Sequence, residues 1–96
     1  MTKSELISEM AKISGLTRID SEKALDAFIK SVEDALKGRD EVKLVGFGTF
    51  SAPKKEATIG RNPKTRETMT IPARFVPKFK PGKQLKEVVG QGLDDI

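Results

Sequence analysis

Apolar residues recur along this chain with two different periods, and the change of period divides it. From Leu6 to Leu36 the spacing is helical. Thr2-Lys3-Ser4-Glu5 has the spacing of a capping box, with a hydroxyl at the N-cap and a carboxylate three residues on. Leu6, Ile7, Met10 and Ile13 follow, and Gly15 stops the run, which predicts a helix over residues 3–14. Thr17 is a second N-cap, with Asp20 in the capping-box position. Ala24, Leu25, Phe28, Ile29, Val32 and Leu36 then form a wide apolar stripe on a helix of residues 18–37. Gly38 is the expected left-handed residue beyond its end.

After Gly38 the period falls to two. Val42, Leu44 and Gly46 alternate with Lys43, Val45 and Phe47, as in a half-buried strand. Gly46-Phe47-Gly48 allows a tight reversal into a second strand of Thr49, Phe50, Ser51 and Ala52. Pro53 cannot donate to a ladder, so it marks an edge, a bulge or a bend. Residues 54–74 are thin in apolar groups and turn at Gly60-Arg61-Asn62-Pro63-Lys64-Thr65. This predicts a β-ribbon arm with limbs of about ten residues, each reaching roughly 30–35 Å. A loop centred on Lys64 would set Ile59 opposite Met69, Ala57 opposite Ile71 and Arg61 opposite Glu67. An isolated two-stranded ribbon is marginal in water, so the arm is expected to be mobile until something binds it. Phe75 to Lys80 reads as a third strand, with Phe75 and Phe79 on the same side. Pro81-Gly82-Lys83 opens a last short helix with Leu85, Val88 and Val89 inward, ended by Gly90. Gln91 to Ile96 reads as a frayed acidic tail. The predicted class is α+β: a helical hairpin, a three-stranded antiparallel sheet with a long ribbon arm, and a short C-terminal helix.

Two helices joined by a Gly turn raise a helix-turn-helix reading. The second helix argues against it, because Asp20, Glu22, Asp26, Glu33 and Asp34 outnumber Lys23 and Lys30 on its polar face. It reads as a packing element. Its broad stripe, on a chain of 96 residues that would bury only roughly 60–65% of its unfolded surface, predicts a partner subunit.

Charge changes the picture further. The net charge of +4 hides an asymmetry: residues 1–53 carry −1, residues 54–86 carry +8 and residues 87–96 carry −3. A near-neutral body with a strongly basic segment points to a polyanion. No run is long and apolar enough to span a membrane, and the N-terminus lacks a signal-peptide core, so the expectation is a soluble, intracellular protein. With no His and no Cys, the commonest general base and the strongest nucleophile are missing, and neither a disulfide nor a Cys-based metal site is available. An enzyme, a small-molecule substrate and a bound cofactor are not expected.

The candidate chemistry is therefore binding. Arg61, Lys64 and Arg66 flank the tip, Lys54, Lys55 and Arg74 the arm base, and Lys78, Lys80, Lys83 and Lys86 follow. Such cations neutralise phosphates and release counterions. Backbone N–H groups near Lys83 could add an anion site. Asn62 suits the acceptors of the minor groove. Pro63 is either position i+1 of a turn or an apolar wedge, and one ring can be both. Other occupants of a basic arm are an acidic protein or RNA; for RNA the stacking aromatics are missing.

Gly46-Phe47-Gly48-Thr49-Phe50, Gly60-Arg61-Asn62-Pro63-Lys64-Thr65 ten residues further on, and Phe79-Lys80-Pro81-Gly82-Lys83 together resemble the signature of the bacterial histone-like HU and integration host factor family, HU above all. The resemblance spans residues 1–90, as one DNA-binding domain with its arm at about 54–74 and an acidic tail at 91–96. It implies an intertwined dimer of the bacterial nucleoid whose arms embrace double-stranded DNA, bend and compact it with little sequence preference, and favour DNA already distorted. It implies Pro63 as the intercalating wedge, with Gly60, Arg61, Asn62, Lys64 and Thr65 at the tip. Lys54, Lys55, Thr58, Arg66 and Arg74 would lie along the arm, and Lys3, Lys80, Lys83 and Lys86 on flanking phosphates. The dimer core would hold Phe47, Phe50 and Phe79, with Leu44 and with Phe28, Val32 and Leu36 of the second helix. Two features depart from HU. Phe75 stands where a polar or basic residue is usual, and the tail beyond Gln91 is longer; Arg74 and such tails are more typical of integration host factor. A sequence-tolerant homodimer and a site-preferring relative, as one subunit of a heterodimer, both stay open.

Overall fold

The computed structural model describes residues 1–90. The elements in chain order are α1 (Lys3–Ser14), α2 (Arg18–Lys37), β1 (Val42–Leu44), β2 (Gly48–Ser51), β3 (Lys54–Lys55), β4 (Thr58–Arg61), β5 (Thr68–Ile71), β6 (Arg74–Phe75), β7 (Lys78–Pro81) and α3 (Lys83–Gly90). They fall into two compact units, residues 1–34 and the chain from Ala35 onward. The α+β class and the three-stranded sheet are as the periods predict. The acidic tail lies outside the described residues.

In the first unit both helices start where their caps stand. Thr2 Oγ1 accepts from Glu5 N–H at 3.3 Å and Thr17 Oγ1 from Asp20 N–H at 3.1 Å. Gly15 closes α1 in the left-handed conformation, at φ 77°. Arg18 reaches back to α1 and donates to the Ser4 hydroxyl at 2.8 Å and to the Ser8 hydroxyl. Ile7 is the one buried apolar side chain among the described residues, and Ser21 is fully buried. The stripe of α2 is half covered at Leu25 and Val32 and open at Phe28 and Ile29. One chain does not bury what the pattern asks it to bury.

The end of α2 corrects one expectation. Gly38 is not the left-handed residue; Arg39 is, at φ 63°. Arg39 N–H bonds Leu36 O at 3.0 Å and Asp40 N–H bonds Ala35 O at 2.9 Å. This pair of bonds is a Schellman closure whose left-handed position falls on Arg39, one residue later than the glycine.

In the second unit β1, β2 and β7 form an antiparallel sheet in the order β1-β2-β7. Phe79 lies opposite Phe50, with ring centroids 4.7 Å apart, and Phe47 is 5.5 Å from Phe79. The Gly46-Phe47-Gly48 turn seats α3. Gly82 N–H donates to Phe47 O at 2.8 Å and Leu85 N–H to Gly46 O at 3.2 Å. A Cβ on Gly82 would lie 3.1 Å from the Gly46 backbone, a tight contact that glycine avoids. Pro81 ends β7 rather than opening the helix, and Val88 and Val89 are exposed rather than inward.

Candidate nucleic-acid interface

Beyond the sheet, β2 and β7 continue as a ribbon with one register throughout. Gly48 faces Pro81, Lys54 faces Phe75, Thr58 faces Ile71 and Arg61 faces Thr68. No residue is inserted on either limb, so there is no bulge. The ladder is nonetheless interrupted twice, once at Ala52-Pro53 against Val76-Pro77 and once at Glu56-Ala57 against Pro72-Ala73. Each interruption contains proline, which has no N–H to give. The third strand is therefore not continuous from Phe75 to Lys80, and the limbs are shorter ladders than expected. Val76 N–H still reaches Pro53 O at 3.1 Å across the first break.

The register differs by one residue from the expected one. Ile59 faces Thr70 rather than Met69, Gly60 faces Met69, and Arg61 faces Thr68 rather than Glu67. The tip explains the shift. Asn62 N–H bonds Glu67 O at 2.9 Å, Arg66 N–H bonds Asn62 O at 2.7 Å, and Asn62 Oδ1 accepts from Lys64 N–H at 2.9 Å. An asparagine bonding the backbone two residues on is an Asx turn. Arg66 takes the left-handed conformation, φ 61°, and the loop closes with an even number of residues. Asn62 is thus partly committed to the turn, while Pro63, Lys64 and Thr65 are exposed at its apex.

Register decides which side chains share a face, because cross-strand partners lie together and faces alternate along a strand. Lys55 shares a face with Arg74, and Lys54 takes the other with Phe75. Ile59 and Arg61 lie with Thr70 and Thr68, whereas Thr58 and Gly60 lie with Ile71 and Met69. Thr49 and Ser51 lie with Lys80 and Lys78, and Phe50 with Phe79. With no bulge the alternation keeps its phase across the breaks. One face collects Lys55, Arg61, Arg74, Lys78 and Lys80; the other collects Phe50, Phe75, Phe79, Ile71 and Met69. Lys55 directly opposite Arg74 is a repulsive pair when isolated, and an anion between them removes the repulsion.

The basic face runs onto the sheet. Lys43 lies opposite Thr49, which lies opposite Lys80, so the two lysines flank Thr49. Lys43, Lys80, Lys83 and Lys86 line one shallow depression beside the start of α3. Lys43 was not among the candidates from sequence, although its place between inward Val42 and Leu44 already turned it outward. All ten cations from Lys54 to Lys86 are exposed. The ion pairs among the described residues, Lys3–Asp26 at 2.8 Å and Lys30–Asp34 at 3.0 Å, both lie in the first unit. Lys3 thus differs from the other candidates: Asp26, hydrogen-bonded to it, holds its pKa above the ordinary 10.5. Among the described residues no group of acidic or other side chains could hold a metal ion, and no helix is long and apolar enough to cross a membrane.

Comparison with known proteins agrees with this geometry. The family model described as "Bacterial DNA-binding protein" matches residues 1–90. The chain is 52% identical to DNA-binding protein HU of Clostridium pasteurianum over 91 residues, covering 95% of this chain and all of that protein. It is 51% identical to DNA-binding protein HU of Geobacillus stearothermophilus over 89 residues, covering 93% and 99%. Its backbone matches Anabaena HU, solved as a cocrystal with DNA, at a TM-score of 0.88 and 40% identity, covering 93% of this chain and 97% of that one. The chain belongs to the bacterial DNA-binding protein family, the family of HU.

Proposed function

We propose that this chain is an architectural DNA-binding protein that acts as a dimer and bends double-stranded DNA through the minor groove. The observation that carries the reading is the single register from Gly48 to Arg61, which sorts Lys55, Arg61, Arg74, Lys78 and Lys80 onto one face of the ribbon. That row can follow a phosphate backbone, with Lys43, Lys83 and Lys86 extending it beside α3. Half-exposed Phe47 and Phe79 and the open stripe of α2 supply the apolar surface for a second copy. The HU relatives and the Anabaena protein crystallised with DNA support the polyanion being DNA.

Residues 1–90 serve as the DNA-binding domain, with residues 54–74 as the arm. Pro63 is the wedge: its ring is exposed at the apex of a turn held by Asn62 and Arg66. Minor-groove architectural proteins, HU among them, unstack a base step with such a group and kink the duplex. Arg61, Asn62, Lys64, Thr65 and Arg66 lie beside the wedge; Lys54, Lys55, Thr58 and Arg74 contact the backbone further back. The site is the bacterial nucleoid in the cytoplasm, and the action is binding rather than catalysis.

A gel-shift panel of linear, nicked and gapped duplexes of one sequence, at two salt concentrations, tests this. Distorted duplexes should bind more tightly, because part of the bending cost has already been met. Equal affinity for all three would remove bending from the account. Failure of duplex DNA to displace a bound acidic protein would favour a protein partner instead.

A further inference from the structure

Arg39 occupies the left-handed conformation, at φ 63°, immediately after a glycine that could have taken it. Residues with a Cβ are disfavoured there, and such strain persists where the surroundings fix it. Two contacts hold this residue. Its Nη1 donates to Leu36 O at 3.3 Å and to Lys37 O at 3.1 Å, carbonyls of the last turn of α2, the first of which also accepts from Arg39 N–H. Its guanidinium carbon stands 3.6 Å from the centroid of the Phe75 ring. Phe75 in turn pairs with Lys54 in the two-residue ladder at the arm base. That ladder has a proline-containing break on either side, so little backbone bonding ties it to the sheet or to the outer arm.

We propose that Arg39 and Phe75 form a clasp that fixes the base of the arm to the C-terminal end of α2, making Arg39 a positioning residue for the arm. This rests on the reading of the arm as a DNA-bending element, but its first consequence needs no DNA. The planar guanidinium bonds the helix carbonyls at its edge and stacks on the ring with its face, which lysine cannot do. A simple helix cap would use the first contact and be indifferent to Phe75. The clasp also gives a place to Phe75 outside the Phe47–Phe50–Phe79 cluster, on the apolar face of the ribbon.

Hydrogen exchange of the DNA-free dimer tests the clasp at the Val76 N–H, which bonds Pro53 O beside the arm base. In Arg39→Gly the left-handed turn is retained, since glycine adopts it freely, while the side chain with its guanidinium is lost. Exchange at Val76 should rise about 2- to 5-fold, the weight of an exposed cation–π contact. Phe75→Leu should give the same rise, Phe75→Tyr should restore the slow rate, and the double variant Arg39→Gly/Phe75→Leu should rise no further. Melting of the body should not fall in Arg39→Gly. Unchanged exchange in both single variants, or effects that multiply in the double variant, would overturn the clasp. On gapped DNA the two variants should also give a broader distribution of bend angles. If Pro63→Ala leaves the bend intact while the exchange pattern holds, the bending reading fails and the clasp stands.

Discussion

The Asn62 N–H and the Glu67 carbonyl meet at 2.9 Å, and this bond sets the register of the whole arm. It makes the tip loop even-numbered and puts Ile59 beside Thr70 and Gly60 beside Met69. Cross-strand NOEs should therefore link Ile59 to Thr70 and Gly60 to Met69. An Ile59–Met69 pairing instead would move every side chain of one limb to the other face and dissolve the basic row.

Two neighbouring lysines separate the faces. Lys55 lies with Arg74 on the basic side, whereas Lys54 lies with Phe75. Each phosphate contact contributes a slope of about −0.9 to log K against log salt. Lys55→Ala or Arg74→Ala should make the slope shallower by about two for a dimer with two arms. Lys54→Ala should change it less. Salt titrations of the three variants on one duplex check this, and equal slopes for Lys54→Ala and Lys55→Ala would count against the sorting.

Lys3 is occupied by Asp26 at 2.8 Å. Asp26→Asn should free it for a phosphate on duplexes long enough to reach the body, with higher affinity and a steeper salt slope by about one for each protomer. The pH dependence has a definite sign. Asp26 raises the Lys3 pKa above 10.5, so the stabilisation it brings is fully present below that value and is lost only as pH climbs through the raised folded value. The gain from Asp26→Asn should thus be the same at neutral and mildly alkaline pH. Binding titrations in matched salt at two such pH values measure it.

Ser21 is fully buried and its hydroxyl has no hydrogen-bond partner among the described residues. An unpaired buried hydroxyl costs roughly 1–3 kcal/mol, and alanine is also the better helix former. Ser21→Ala should raise stability by about 1–2 kcal/mol, read by denaturant unfolding at fixed protein concentration because a dimer's stability depends on it. A loss of stability would show that the hydroxyl is paired in the dimer.

Much of this was legible in the chain. The caps Thr2 and Thr17 and the stop at Gly15 gave the helix limits, because each supplies a bond or a conformation that the helix end needs. The change from period 3.6 to period two located the sheet, and the run of +8 marked the candidate interface. What could not be read depended on atoms distant in sequence or on a second copy. Gly38 looked like the left-handed residue, but Arg39 takes that position where its guanidinium meets Leu36, Lys37 and Phe75. The arm register turned on Arg66 adopting a conformation usual for glycine. Val88 and Val89 read as inward, yet no surface within the described chain covers them. Lys43 sits outside the basic segment in sequence and joins Lys80 only through the pairing of β1, β2 and β7.

The most direct test of the central claim is the bend angle of a short duplex, labelled at its ends for fluorescence energy transfer, with the natural protein and with Pro63→Ala. The alanine removes the ring, adds a backbone N–H, and leaves the residues that make the Asn62 and Arg66 bonds of the tip in place. A clear loss of bend with a smaller loss of affinity is expected, since the cations of the basic face remain. An unchanged bend at full occupancy would contradict it.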